Sequence, residues 1–235
     1  HKLKESLEIP IVASLNGVTP GGWTEHAQEL QIAGADALEL NIYHVSADIS
    51  ETGKQVEKRY IEVLKAIKEK VTIPVVVKLS PHFSSVANMV YKLEEAGADG
   101  VALFNRFYQP GIDLDTLEVT RELSLSTSAD ALLSMRWIAI LYNQVKLTLA
   151  ATGGIHASDD AMRLLLAGAD VTHLCAALLQ NRPGYVAGIL SGMERWMELY
   201  EYESVDQLKG SVCRDHASDP SAYERANYIE MLKQY

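Results

Sequence analysis

The run Val75-Val76-Val77-Lys78-Leu79 places a lysine inside an apolar stretch. An ammonium there needs an anionic or electron-rich partner, because an unpaired charge taken out of water is costly. Lys78 is therefore the residue that points most directly to chemistry, with a structural ion pair or a snorkelled end as the alternatives. Asn41 and Asn105 close two other apolar runs. Their amides both donate and accept, which suits the edge of a heterocycle. Arg106 follows directly, and its planar guanidinium fits a carboxylate or phosphate, or else a surface pairing. After Ala150-Ala151-Thr152 come the adjacent Gly153 and Gly154, where bare backbone lets amides approach a phosphate. The amides of Cys175 and Ala176, at the end of a further run, could complete that cradle. His44, His82 and His156 each follow an apolar run too, but they lack the paired spacing and acidic companions of a metal site, so no metal is expected. The Cys175 side chain reads as a small core residue rather than a nucleophile.

Strands that run into helices must hold these residues. Ala-Gly-Ala-Asp occurs at 33–36, at 96–99 and again at 167–170, each time after an amphipathic stretch and before an apolar run. The pattern predicts a helix closed by a left-handed glycine, a short turn and a buried strand. A second phrase, Ile9-Pro10-Ile11-Val12, returns as Ile73-Pro74-Val75-Val76, so the repeating unit is strand-helix-strand-helix. Six parallel strands are expected, at 10–15, 36–42, 73–80, 99–105, 146–152 and 170–176, buried on both faces. Strict alternation allows a closed (β/α)8 barrel or an open doubly wound sheet, and the internal repeat favours the α/β TIM barrel. Closure takes eight strands, so the repeat implies one further double unit upstream of His1. The expectation is one domain over 1–235, with an excursion at 107–146 and a carboxy-terminal helical tail at 211–235. Ile112-Asp113-Leu114-Asp115 suggests a small hairpin over the barrel mouth, as a lid or a homodimer contact.

Composition narrows the partners. The 235 residues carry a formal charge of −10, which argues against nucleic acid or an anionic membrane as the main partner. No apolar stretch reaches membrane-spanning length, and Cys175 and Cys213 stand far apart without paired spacing, which fits a reducing cytoplasm.

Taken in order, the strand ends resemble the dihydroorotate dehydrogenase family, FMN enzymes built on a (β/α)8 barrel. The matching phrases are Ala35-Asp36-Ala37-Leu38-Glu39-Leu40-Asn41, Val76-Val77-Lys78-Leu79-Ser80-Pro81, Asn105, Thr152-Gly153-Gly154-Ile155 and Tyr202-Glu203-Ser204-Val205 with Leu208-Lys209-Gly210. Ala13-Ser14-Leu15-Asn16-Gly17-Val18-Thr19-Pro20-Gly21-Gly22-Trp23 and Phe104-Asn105-Arg106-Phe107-Tyr108-Gln109-Pro110 are closest to its dihydroorotate dehydrogenase-like branch. The resemblance implies that Lys78 sits against the pyrimidine edge of the flavin, that Ser14 and Asn41 bond flavin or substrate, and that Asn105 bonds the substrate. It assigns the FMN phosphate to the amides of Gly153, Gly154, Cys175 and Ala176. It also implies a base that removes a proton beside a carbonyl while hydride passes to the flavin. The family carries Cys or Ser as that base, and here His44 occupies the position; an imidazole can take a proton near neutrality. Ser46 stands where the family has a second Asn, and Leu125-Ser126-Thr127-Ser128 replaces a Gly-rich phrase. The expected function is an FMN-dependent oxidoreductase on a small-molecule substrate, dihydroorotate by default, in pyrimidine biosynthesis. The alternatives are a phosphate-ligand barrel with isomerase or lyase chemistry and a catalytically idle barrel.

Overall fold

A computed structural model describes residues 2–16, 20–225 and 233. The chain forms two compact units, 1–127 and 128–235. In the first, helix α1 (Lys2–Ser6) precedes four parallel strands with helices between them: β1 (Val12–Asn16), α2 (Pro20–Ile32), β2 (Ala37–Asn41), α3 (Gly53–Lys68), β3 (Val75–Leu79), α4 (Val86–Glu95) and β4 (Gly100–Leu103). A two-stranded antiparallel hairpin follows, β5 (Gly111–Ile112) with β6 (Val119–Thr120). The second unit holds a 3-10 turn at Ser128–Asp130, α5 (Ala131–Leu141), β7 (Thr148–Thr152), α6 (Ser158–Ala167), β8 (Val171–His173), α7 (Ala176–Asn181), α8 (Tyr185–Leu199), α9 (Val205–Leu208) and α10 (Ser221–Glu224). Its strands β7 and β8 are also parallel. These are the repeating units of a (β/α)8 barrel, of which six strands are present.

Helix periodicity explains the packing. The buried residues of α3 are Tyr60, Val63, Leu64 and Ile67, and those of α4 are Val86, Met89, Val90 and Leu93. Both sets follow the i, i+3, i+4, i+7 stripe that lays one face of a helix on a sheet. Strand β4 is buried at all four positions. The expectation of burial on both faces fails at β1, where Val12 is 54% exposed, and at β8, where Val171 is 43% exposed. Among the described residues each of these strands pairs with one neighbour inside its own unit, which leaves part of its surface uncovered.

The three Ala-Gly-Ala-Asp phrases form the turns they predict. Gly34, Gly97 and Gly168 have φ of 96°, 93° and 117°, which an L side chain rarely adopts. The aspartates add a role that the sequence did not disclose. Each returns to the start of the preceding strand: Asp36 accepts the Ile11 N–H, Asp99 the Val75 N–H and Asp170 the Leu149 N–H. Each also pairs with a lysine, Lys4, Lys68 or Lys209. The Lys4 hydrogen bond, with the Ile11 amide second, holds the Asp36 carboxyl below the usual range, and Asp170 raises the Lys209 ammonium. Asp99→Ala is expected to cost about 1–2 kcal/mol, because it removes one charge-assisted bond to backbone and one ion pair, both partly exposed. Urea unfolding of the pair measures this, and a loss under about 0.5 kcal/mol would show that the clamp is ornamental.

The expected excursion contains two different things. The hairpin lies where Ile112-Asp113-Leu114-Asp115 placed it, its turn drawn tight by Asp113 accepting from the N–H groups of Asp115 and Thr116. The helix that the alternation requires after the fourth expected strand is α5, whose bounds the sequence did not mark. Its sequence, ALLSMRWIAIL, has one charged residue and no sharp polar face, so helical periodicity is faint. Residues 211–220 form turns instead of the expected helical tail, with Cys213 buried and the Arg214 N–H bonded to the Ala139 carbonyl. Helix α10 is short, and of the rest of that tail, 226–232 and 234–235 lie outside the described residues. No described helix is long and apolar enough to cross a membrane.

Candidate active site

Register brings the strand-end residues of the first unit together. Ser14 lies opposite Glu39, and Asn41 opposite Lys78. Alternation along a strand puts Glu39 and Asn41 on one face of β2. The Lys78 ammonium stands 3.5 Å from Glu39 Oε1, and the Ser14 hydroxyl donates to the same oxygen at 3.0 Å. Glu39 is 8% exposed, so this carboxylate is the anion that a lysine in an apolar run requires. A separation of 3.5 Å is long for a hydrogen bond, and an ammonium has three donors, so Lys78 keeps donors for a further acceptor. The Asn105 side-chain amide donates to the Asn41 side-chain oxygen, while the Asn105 backbone N–H reaches the Leu79 carbonyl at 2.7 Å. Ser14, Glu39, Lys78, Asn41 and Asn105 thus form one polar cluster at the carboxyl ends of β1 to β4.

Beyond the ends of β2 and β3 lies an open cavity of about 570 Å³ whose walls include His44, Glu51, Tyr60, Ser80, His82 and Tyr108. The strand-end cluster does not line it, but Ser80, two residues past Lys78, does. Tyr60 fixes the inner wall: it is buried in α3, and its hydroxyl donates to the Ile42 carbonyl just past β2 at 3.0 Å. Burial pushes that phenol up to about 12. Thr52 and Gln55 cap α3 reciprocally, which sets the position of Glu51 immediately before the cap. Glu51 then gathers three donors: the Ser46 hydroxyl at 2.6 Å, His44 Nε2 at 3.0 Å and the Arg59 guanidinium at 2.5 Å. The Ser46 bond, then the His44 bond, and then Arg59 hold the carboxyl down at about 2. An ionised carboxylate only accepts, so the His44 proton sits on Nε2 and leaves Nδ1 as the nitrogen able to take a proton. Phe107 forms another wall, stacked on Tyr43 with ring centres 4.3 Å apart and touched edge-on by His82 at 5.5 Å.

In the second unit the chain turns sharply after β7. Gly153 and Gly154 both have positive φ, 91° and 76°. A Cβ on Gly154 would stand 2.2 Å from the Ala131 nitrogen, whereas one on Gly153 would meet nothing within 4 Å. The turn is thus pressed against the start of α5 on one side and open on the other. Asp160, 3% exposed, anchors it by accepting from the N–H groups of His156 and Ala157 and from the Ser128 hydroxyl. Consecutive amides exposed on such a turn are suited to a phosphate.

The structure therefore gathers Ser14, Asn41, Lys78 and Asn105, and sets His44 in the adjoining cavity wall. Arg106 is half-buried and is not among the described residues of that wall. Cys175 is exposed, contrary to its reading as a core residue, because the strand ends at His173 and Cys175 sits in the turn before α7. Glu39, Glu51, Arg59 and Tyr60 were not singled out beforehand. Glu39 had a signal, an acid in an apolar strand to match the lysine in the next. Glu51 sits in a polar loop and had none.

The family model described as dihydroorotate dehydrogenase matches residues 1–197. Among curated relatives, the chain is 28% identical over 210 residues to a protein of Methanothermobacter thermautotrophicus named dihydroorotate dehydrogenase B (NAD(+)), catalytic subunit, covering 86% of this chain and 69% of that one. It is 29% identical over 215 residues to a putative dihydroorotate dehydrogenase A (fumarate) of Aeropyrum pernix, covering 89% and 70%. A catalytic subunit of the B (NAD(+)) type from Shouchella clausii is 29% identical over 213 residues, with 88% and 69% covered.

Proposed function

Because the chain belongs to the dihydroorotate dehydrogenase family, we propose that it is an FMN-dependent oxidoreductase that acts on a C–C bond next to a carbonyl in a small cyclic substrate. The reference reaction is dihydroorotate to orotate, the step of pyrimidine biosynthesis for which its relatives are named. The observation that carries this reading is His44, held through Nε2 by a Glu51 that stays ionised, at the position where the resembled family keeps its base.

Each unit, taken by itself, carries groups that suit a part of the cofactor. In the second unit, the positive-φ turn at Gly153 and Gly154, open on the Gly153 side, suits the phosphate, with the Cys175 and Ala176 amides as further donors. In the first, Lys78 offers a cation to the pyrimidine edge of the ring, and Ser14 and Asn41 offer hydrogen bonds. When bound, FMN supplies the hydride acceptor. His44 Nδ1 takes the proton from the carbon beside the carbonyl, and Glu51 keeps the imidazole in the competent tautomer and balances the charge that forms on it. Lys78 stabilises negative charge as it builds on the acceptor side. Both cysteines are free thiols, which suits work in the cytoplasm.

The visible spectrum of the purified chain with added FMN, before and after anaerobic addition of dihydroorotate or its uncharged analogue 5,6-dihydrouracil, tests this. Protein-bound flavin that bleaches with either is the expected result. A protein that retains no flavin, yet is stabilised by phosphate ligands, would overturn it in favour of the phosphate-ligand barrel; bound flavin that no dihydropyrimidine bleaches would favour the idle one.

A further inference from the structure

The cavity beside His44 has an unusual charge pattern for a site that would take a carboxylate. Among its described wall residues there is no Lys or Arg. Its two acidic residues are already engaged: Glu51 by Ser46, His44 and Arg59, and Glu57 by Lys92 at 2.7 Å. Neither Arg59 nor Lys92 is part of the wall. The cavity therefore faces its contents with imidazoles, hydroxyls, the Gln109 amide and the rings of Tyr60, Phe83, Phe107 and Tyr108. A carboxylate moved into such a place loses its hydration and finds two carboxylates and no fixed cation. An uncharged ring loses little, stacks on the aromatic walls and can bond the hydroxyl and amide groups at its edge.

We propose that this cavity takes an uncharged cyclic amide or imide, so that the substrate of this protein lacks the carboxylate of dihydroorotate. The inference rests on the flavin reading only in naming the occupant a substrate; occupancy itself is a separate question. At about 570 Å³ the cavity has room for a substituted ring. His44 belongs to the wall, so an occupant would lie within the base's reach.

Orotate and 6-methyluracil form a matched pair, nearly equal in shape, with a carboxylate on one where the other has a methyl. Calorimetric titration of the full chain with each, with and without saturating FMN, should be run at about pH 8, where an ordinary imidazole is neutral. The expected result is that 6-methyluracil binds at least about tenfold more tightly than orotate in both conditions. Gln109→Arg places a cation in an exposed part of the wall and is expected to strengthen orotate binding about tenfold. Orotate binding as tightly as 6-methyluracil, or neither ligand binding, would overturn the proposal. So would a Gln109→Arg variant with unchanged orotate affinity. A preference for 6-methyluracil in protein that retains no FMN would leave the cavity assignment standing and remove the flavin reading.

Discussion

Replacing His44 by alanine lowers the rate of flavin reduction by about 100- to 10,000-fold and leaves FMN and product-analogue binding within about threefold, the pattern of a lost general base. The geometry behind this is a chain of three groups. Tyr60 holds the end of β2, the capped start of α3 fixes Glu51, and Glu51 holds His44 through Nε2. A cysteine or serine in this place would need its proton drawn off by a neighbour, whereas an imidazole with Nε2 engaged presents an unprotonated Nδ1. Glu51 titrates near 2, so it keeps its charge over the whole working range and cannot produce an acid limb in the rate profile. Glu51→Gln should lower the rate about tenfold, because the amide oxygen still orients the ring but no longer balances a positive charge on it. Anaerobic stopped-flow bleaching of the flavin-loaded protein measures both. A His44→Ala protein that bleaches within about threefold of the parent would exclude His44 as the base.

The sequence and the structure meet most closely where a residue's role is set by its immediate neighbours along the chain. The Ala-Gly-Ala-Asp phrases announce a left-handed glycine before a strand, and all three have it. Lys78 announces a need for an anion, and Glu39 on the next strand meets it. What stays hidden is whatever depends on groups far apart in sequence or on the absence of a cover. The aspartates of the repeat look like turn residues, yet each bonds the start of the strand before it, more than 20 positions back. Glu51 is one acid among several in a polar loop until Arg59, a turn and a half into α3, closes on it. The apolar runs of β1 and β8 are read as buried, but burial depends on neighbours, which a run of residues does not encode. The bounds of helix α5 stay hidden for the opposite reason, since a segment apolar on most sides has no periodicity to read.

Lys78→Met is expected to slow flavin reduction about 100- to 1,000-fold, the range for removing one preorganised group from a developing charge. The same change breaks the pair with Glu39 and is expected to cost about 3 kcal/mol of stability, since a buried carboxylate is left without its cation. The two effects have to be separated, because an ion pair that only holds β2 to β3 would also lower activity if lost. The double variant Lys78→Met, Glu39→Gln does so. Its neutral amide still accepts from Ser14 and no longer needs a cation, so most of the stability is expected to return. If Lys78 acts on the flavin, the rate stays depressed by about 100-fold or more in the double variant and the bound flavin becomes harder to reduce, because the cation that favoured the reduced ring is gone. If Lys78 is structural, the double variant recovers to within about tenfold of Glu39→Gln alone. The ammonium's distance from Glu39, too long to saturate its donors, is why the first outcome is expected.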